Sequence, residues 1–173
     1  MKAENTIDMN AYFAGGCFWC ITEPFYDIDG VIKVESGFSG GDEINPNYED
    51  VKAQKTSHRE TIKVIYDESK VDYKTLLDTF LNHVDLTDGG GQFIDRGFSY
   101  TLAIFYNNVD EEKIIRKTIK EIEDKYNIKA CVSILPFKNF YIADEYHQDY
   151  FKKNKEEYLK EMIESGRRKN IQN

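Results

Sequence analysis

Between residues 73 and 84 the apolar side chains fall at Tyr73, Leu76, Leu77, Phe80, Leu81 and Val84. That spacing places them all on one face of an α-helix. Asp72 stands where an N-cap belongs. A one-faced helix must lie on another layer, and the neighbouring segments say which kind. Segment 61–66 (TIKVIY) alternates as a strand does, and 100–106 (YTLAIFY) is rich in strand-forming residues.

Further short strands are predicted at 11–14, 31–36 and 131–135, the last ended by Pro136. A helical turn follows the first of them. It opens either at Cys17 or at Thr22 as N-cap, with Pro24 tolerated in the first turn. A second long helix runs from Asp110 as cap to about Tyr126, with Ile115, Ile119, Ile122 and Tyr126 on one stripe. Two shorter helical patterns close the chain, around 144–152 and 154–164. The order is β-α-β-β-α-β, then α-β, then α. The first six elements match the split βαβ arrangement. The expected fold is α+β: a ferredoxin-like sandwich with a mainly antiparallel sheet and helices packed on it. No repeat, low-complexity tract or linker interrupts the pattern, so residues 1–173 read as a single catalytic domain. Its core spans about 10–165, and a polar tail covers 166–173.

Composition narrows the function. The net charge of −8 argues against a general nucleic-acid binder. The basic run Arg167-Arg168-Lys169 reads as a solvated tail. No apolar stretch approaches the roughly 18 residues of a membrane span, and the start MKAENTIDMNAYF holds no signal-like core. Three cysteines without a secretion signal indicate a reducing compartment, so a cytoplasmic location and no membrane partner are expected.

Two long stretches resist assignment, 37–58 and 86–99. Long irregular loops in a small domain usually carry function. Gly89, Gly90 and Gly91 do not make a phosphate loop, because the GxGxxG spacing fails at Ile94.

The strongest chemical signal is Gly15-Gly16-Cys17-Phe18-Trp19-Cys20. Cys17 follows a strand and two glycines and sits near a helix start. Free amide groups there favour a thiolate, so a lowered Cys17 pKa is expected. Cys20 lies one helical turn on, within reach for a disulfide. The pair also reads as two buried small hydrophobes, or as half of a zinc site. Zinc needs four ligands, and Cys131, His58, His83 and His147 lack local metal spacing. Cys131 reads as a core residue of its strand.

At this point the chain resembles the A-type peptide methionine sulfoxide reductases. The resemblance runs from about Phe13 to Asn154. It is carried by GGCFWC at 15–20, SGFSGG at 36–41, NPNYEDV at 45–51, HRE at 58–60, GGQFIDRGFSYTLAIFY at 90–106 and FYIADEYHQDYFKKN at 140–154. The resemblance implies a reductase for the S-epimer of methionine sulfoxide, free or in proteins. It makes Cys17 the nucleophile toward the sulfoxide sulfur and Glu60 the general acid for its oxygen. It makes Tyr48 and Tyr100 hydroxyl donors to that oxygen, and Asp95 an acidic residue that positions substrate and ordered water. Phe18 and Trp19 become the walls of a slot for the ε-methyl group. His147 is expected to hold the closing helix near the pocket. Thioredoxin, or another thiol reductant, is the implied recycling partner. No cofactor or metal is implied, because thiols supply both electrons.

The chain departs from the family pattern in places. It has no C-terminal Gly-Tyr-Cys context, and Lys52 stands where some members carry a further Cys. Cys20 is therefore the best resolving candidate, with direct reduction of a Cys17 sulfenic acid by an outside thiol as the alternative. Ser57 precedes His58 where Gly is usual, and Thr22 stands where many members have Glu. Competing readings are a thioredoxin-like disulfide oxidoreductase, a non-catalytic binder of oxidised peptides and a zinc-bound structural protein.

Overall fold

The computed structural model describes residues 8–167. Its strands are β1 (Asp8–Ala14), β2 (Val31–Ser39), β3 (Arg59–Asp67), β4 (Gly91–Gln92), β5 (Asp95–Arg96), β6 (Leu102–Tyr106), β7 (Val132–Pro136) and β8 (Tyr141–Ile142). Its α-helices are α1 (Phe18–Ile21), α2 (Glu23–Tyr26), α3 (Tyr48–Lys52), α4 (Tyr73–Leu81), α5 (Val109–Tyr126), α6 (Tyr150–Lys153) and α7 (Lys155–Glu164).

The main sheet has the order β7-β6-β1-β3-β2-β8. In β6-β1-β3-β2 each strand is antiparallel to its neighbours, which reproduces the ferredoxin-like plait. Two strands extend it. The helix α5 crosses over to bring β7 parallel to β6, and β8 adds antiparallel to β2 on the far edge. The α+β expectation from element order therefore holds.

Central β1 is buried on both faces from Ala11 to Ala14. On one face Phe13 stacks 4.9 Å from Phe80 of α4 and 5.9 Å from Phe25 of α2. The predicted stripe on α4 supplies this layer: Tyr73, Leu76, Leu77, Phe80 and Leu81 are all buried, each contributing roughly 1.5–3 kcal/mol. Asp72 caps it by accepting from Thr75 N–H at 2.9 Å. The helix ends at Leu81, short of Val84, which still packs on the core. On the opposite face Tyr12 stacks 4.1 Å from Phe137, so the loop after β7 covers what would be bare sheet.

Several boundaries differ from expectation. The cap of α5 is Asn108, which accepts from Glu111 N–H, and Asp110 sits in the first turn where it complements the helix dipole. Tyr126 closes that helix exposed, not on the stripe. Both candidate starts after β1 are used: Cys17 precedes α1 and Thr22 precedes α2. Loop 37–58 is shortened by the extension of β2 to Ser39 and by α3, which Asn47 caps. Loop 86–99 folds into a β4–β5 hairpin and a 3-10 turn (Phe98–Tyr100), so β6 starts only at Leu102. Cys131 is half-buried ahead of edge strand β7, with its amide bonded to Leu86 O, and is not a core residue.

The predicted helix at 144–152 is broken. A 3-10 turn (Glu145–His147) comes first, then Asp149 in the left-handed region at φ 53°, then α6. The cause is Gln148. Its amide accepts from Ser36 N–H and donates to Ser36 O and Ala143 O, each at 2.8–2.9 Å. One side chain thereby continues the hydrogen bonding of the β2 edge and pins the chain beside the thiol-bearing segment.

Arg167 is not part of a solvated tail. Its guanidinium donates to Gly15 O at 3.1 Å and lies over the Phe93 ring. The remainder of the predicted tail, with Arg168 and Lys169, lies outside the described residues, as do residues 1–7.

Candidate active site

β1 delivers the chain to Gly15 and Gly16. A Cβ on Gly15 would stand 2.7 Å from the Phe80 ring, and Gly16 has φ +87°, a conformation that favours glycine. This tight exit places Cys17 directly before α1, with Cys20 N–H bonded back to Cys17 O at 3.0 Å. The two cysteines are free, and the Cys20 thiol lies near enough to act on Cys17. Both are buried, beneath Tyr150 of α6 and Tyr158 and Met162 of α7.

The expected lowering of the Cys17 pKa is not found; it is pushed well up. The neighbouring Cys20 thiol is the main cause, followed by burial and by the charges of Cys20, Glu60 and Asp95. The four-residue α1 has little dipole to set against these effects. At rest Cys17 is a thiol.

Glu60, near the start of β3, is 1% exposed. Its Oε1 accepts from Phe18 N–H at 3.2 Å. Its Oε2 has no hydrogen-bond partner among the described residues. Burial raises its pKa to about 8, against the lowering effect of the Phe18 amide, and Asp95 adds to the rise. The Tyr100 hydroxyl lies near enough to favour the ionised form to a smaller extent. At neutral pH Glu60 therefore carries a proton.

Tyr48 opens α3 and is half-buried. Its ring lies 6.0 Å from Phe18, 6.0 Å from Trp19 and 4.2 Å from His147. Tyr100 ends the 3-10 turn and is buried. Burial first, then the nearby Glu60 charge, raises both phenol pKa values, so both hydroxyls remain donors. Asp95 in β5 is half-buried, and burial raises its pKa against the opposing charges of Arg167 and Lys52. The hairpin at 91–96 thus brings this carboxyl within electrostatic reach of Cys17 and Glu60.

Phe18 is fully buried, tilted against Phe38 and stacked on Tyr48. Trp19 is half-exposed, stacked 4.0 Å from Tyr150, and donates from Nε1 to His147 Nδ1 at 3.2 Å. Burial lowers the His147 pKa, which suits an acceptor nitrogen. All eight sequence-derived site residues thus gather around the end of β1 and the facing end of β3. Sequence reasoning missed Tyr150, Tyr158, Met162 and Arg167, whose roles depend on the return of the C-terminal helices. It also missed the influence of Lys52, whose charge reaches Glu60 and Asp95.

Two neighbouring thiols can give up two electrons, and a protonated carboxyl beside them can hand a proton to an oxygen. On a ferredoxin-like sheet this places the chain among proteins equipped for thiol redox chemistry assisted by a proton donor. Comparison with known proteins makes the class specific. The family model described as peptide methionine sulfoxide reductase matches residues 9–173. The peptide methionine sulfoxide reductase MsrA of Bacillus licheniformis is 45% identical over 159 residues, 91% of this chain and 88% of that protein. The reduced form of Mxr1 from Saccharomyces cerevisiae superposes with a TM-score of 0.80 at 30% identity, covering 89% of this chain and 90% of that one. Methionine sulfoxide reductase A of Corynebacterium diphtheriae gives 0.77 at 25% identity, covering 90% and 78%. The chain belongs to the A-type peptide methionine sulfoxide reductase family. It is an oxidoreductase that returns peptide methionine (S)-S-oxide to methionine.

Proposed function

We propose that Cys17 attacks the sulfoxide sulfur while Glu60 protonates the sulfoxide oxygen. The observation that carries this reading is the state of Glu60: protonated at neutral pH, held by one oxygen, and unpartnered at the other. The sulfoxide oxygen becomes a leaving group from sulfur only as it gains a proton. Oxygen then passes to Cys17 as a sulfenic acid, methionine departs, and the proton lost by the Cys17 thiol returns to Glu60. Tyr48 and Tyr100 donate hydrogen bonds to the same oxygen, and Asp95 orients substrate and water. Trp19 and the Phe18–Tyr48 stack wall the methyl slot.

Cys20 then attacks the sulfenic sulfur, releasing water and leaving a Cys17–Cys20 disulfide. Their place in one buried cluster, with Cys20 N–H bonded to Cys17 O, supports this pairing. Reduction of the disulfide by thioredoxin restores both thiols. A further structure of yeast Mxr1 is its complex with Trx2, a statement about that protein that motivates the same partner here. The free thiols suit a reducing, cytoplasmic compartment and a role in repairing oxidised proteins. The whole cycle is assigned to one catalytic domain.

Turnover of the two sulfoxide epimers with dithiothreitol as reductant tests the reading. Methionine is expected from the S-epimer only, and Cys17→Ser is expected to abolish it. Full activity in Cys17→Ser would sink the mechanism.

A further inference from the structure

A cavity of about 460 Å³ lies beside the site, between the loop carrying Pro46 and Tyr48 and the segment carrying Tyr141, Ile142 and Asp144. Its size falls within the range of about 300–1,000 Å³ typical of ligand clefts. Neither the sulfoxide chemistry nor the thiol relay uses it. We propose that this groove binds the polypeptide flanking an oxidised methionine, as an extended segment with an apolar residue over Ile142 and a basic residue at Asp144.

Three observations lead there. The groove is continuous with the catalytic cluster, because Tyr48 and Phe38 line it and also pack on Phe18. A methionine sulfoxide held near Cys17 therefore has a path for its main chain past Tyr48. Second, β8 is the last strand on this side of the sheet, and its outer edge pairs with no strand among the described residues. An open edge of this kind accepts an extended chain by main-chain hydrogen bonding. Third, the rim has a definite chemistry. Ile142 is 58% exposed, and Ile44 on the facing loop is 79% exposed. Asp144 lines this end of the groove, and Glu49, next to the lining Tyr48, adds a second negative charge felt by His147. Neither forms an ion pair among the described residues. Apolar side chains edged by unpaired carboxylates complement an apolar residue next to a cationic one.

The proposal rests on the reductase reading, and the test separates the two. N-acetyl-methionine S-sulfoxide methylamide is compared with two heptapeptides that carry the sulfoxide and an adjacent leucine, one with lysine and one with glutamate next to it. Dithiothreitol serves as reductant. The lysine peptide is expected to exceed the glutamate peptide by about tenfold in kcat/KM. Ile142→Asp should cost the lysine peptide about tenfold, through KM, while the methylamide stays within about twofold. Asp144→Lys should invert the charge preference. Equal use of both peptides by the wild type, or parallel losses on methylamide and peptide in Ile142→Asp, would overturn the groove. No turnover of any substrate would overturn the reductase reading, and the groove with it.

Discussion

Glu60 accepts the first amide of α1, Phe18 N–H, through Oε1 at 3.2 Å. A neutral carboxyl has one hydroxyl, and the oxygen that accepts an amide is the carbonyl-like one. A proton on Oε2, the oxygen with no partner among the described residues, is thus the one free to be given up. The same amide that ties α1 to β3 thus orients the Glu60 carboxyl, one residue beyond Cys17.

This arrangement gives activity a pH limit. Glu60 holds its proton up to about pH 8. kcat/KM is expected to fall as pH rises through that value, and Glu60→Gln should lower it by about 10²–10⁴ at neutral pH. A pH profile of the two proteins with S-epimer substrate checks both. An unchanged rate in Glu60→Gln would remove the acid from the mechanism.

Stability should follow the same group with a definite sign. Its folded pKa is raised from 4.5 to about 8. Below pH 4.5 both states hold the proton. Between those values only the unfolded chain releases it, so stability declines with rising pH and levels off above about 8. Urea unfolding across this window should show a slope that Glu60→Gln removes.

Gln148 closes three hydrogen bonds at the β2 edge. Gln148→Leu leaves the Ser36 amide and the Ala143 carbonyl without these partners, while Ser36 O keeps the Ala143 amide, at about 1–3 kcal/mol for each group left buried and unsatisfied. The loss is measured by urea unfolding. Activity should fall with it, because His147 and its bond to Trp19 are held by the adjacent turn.

Gly16 combines positive φ with close neighbours. A Cβ there would stand 2.6 Å from Arg167 Nη2 and 2.8 Å from Gln92 Cβ. Gly16→Ala is expected to cost at least about 1–2 kcal/mol in backbone strain and to displace Cys17. Thermal unfolding reads the first effect, and the rate of Cys17 alkylation reads the second.

What could be read from the sequence was mostly local. The α4 stripe and its Asp72 cap depend on residues a few positions apart, and both formed as the spacing predicts. The β-α-β-β-α-β order likewise led to the antiparallel plait. The segments around Cys17, Tyr48, Glu60, Asp95 and Tyr100 were visible as motifs, and the fold gathers them. The break at Asp149 was not visible, because Gln148 bonds to Ser36, 112 residues earlier. The protonation state of Cys17 was misjudged for a similar reason. A helix start is a local cue, whereas Tyr158 and Met162, which seal the thiol from water, arrive from the far end of the chain. Arg167 gave no signal beyond a basic run, yet it bonds to Gly15 O in the turn before the nucleophile.

The proposed relay draws both electrons from two thiols of one chain. The direct test is a single turnover: reduced protein, excess S-epimer methionine sulfoxide and no added reductant. Methionine formed and thiols lost are counted, and the linkage is mapped by peptide mass. One methionine and two thiols lost per chain are expected, with a peptide joining Cys17 to Cys20. Methionine formed with that linkage absent and Cys20 still free would contradict the relay.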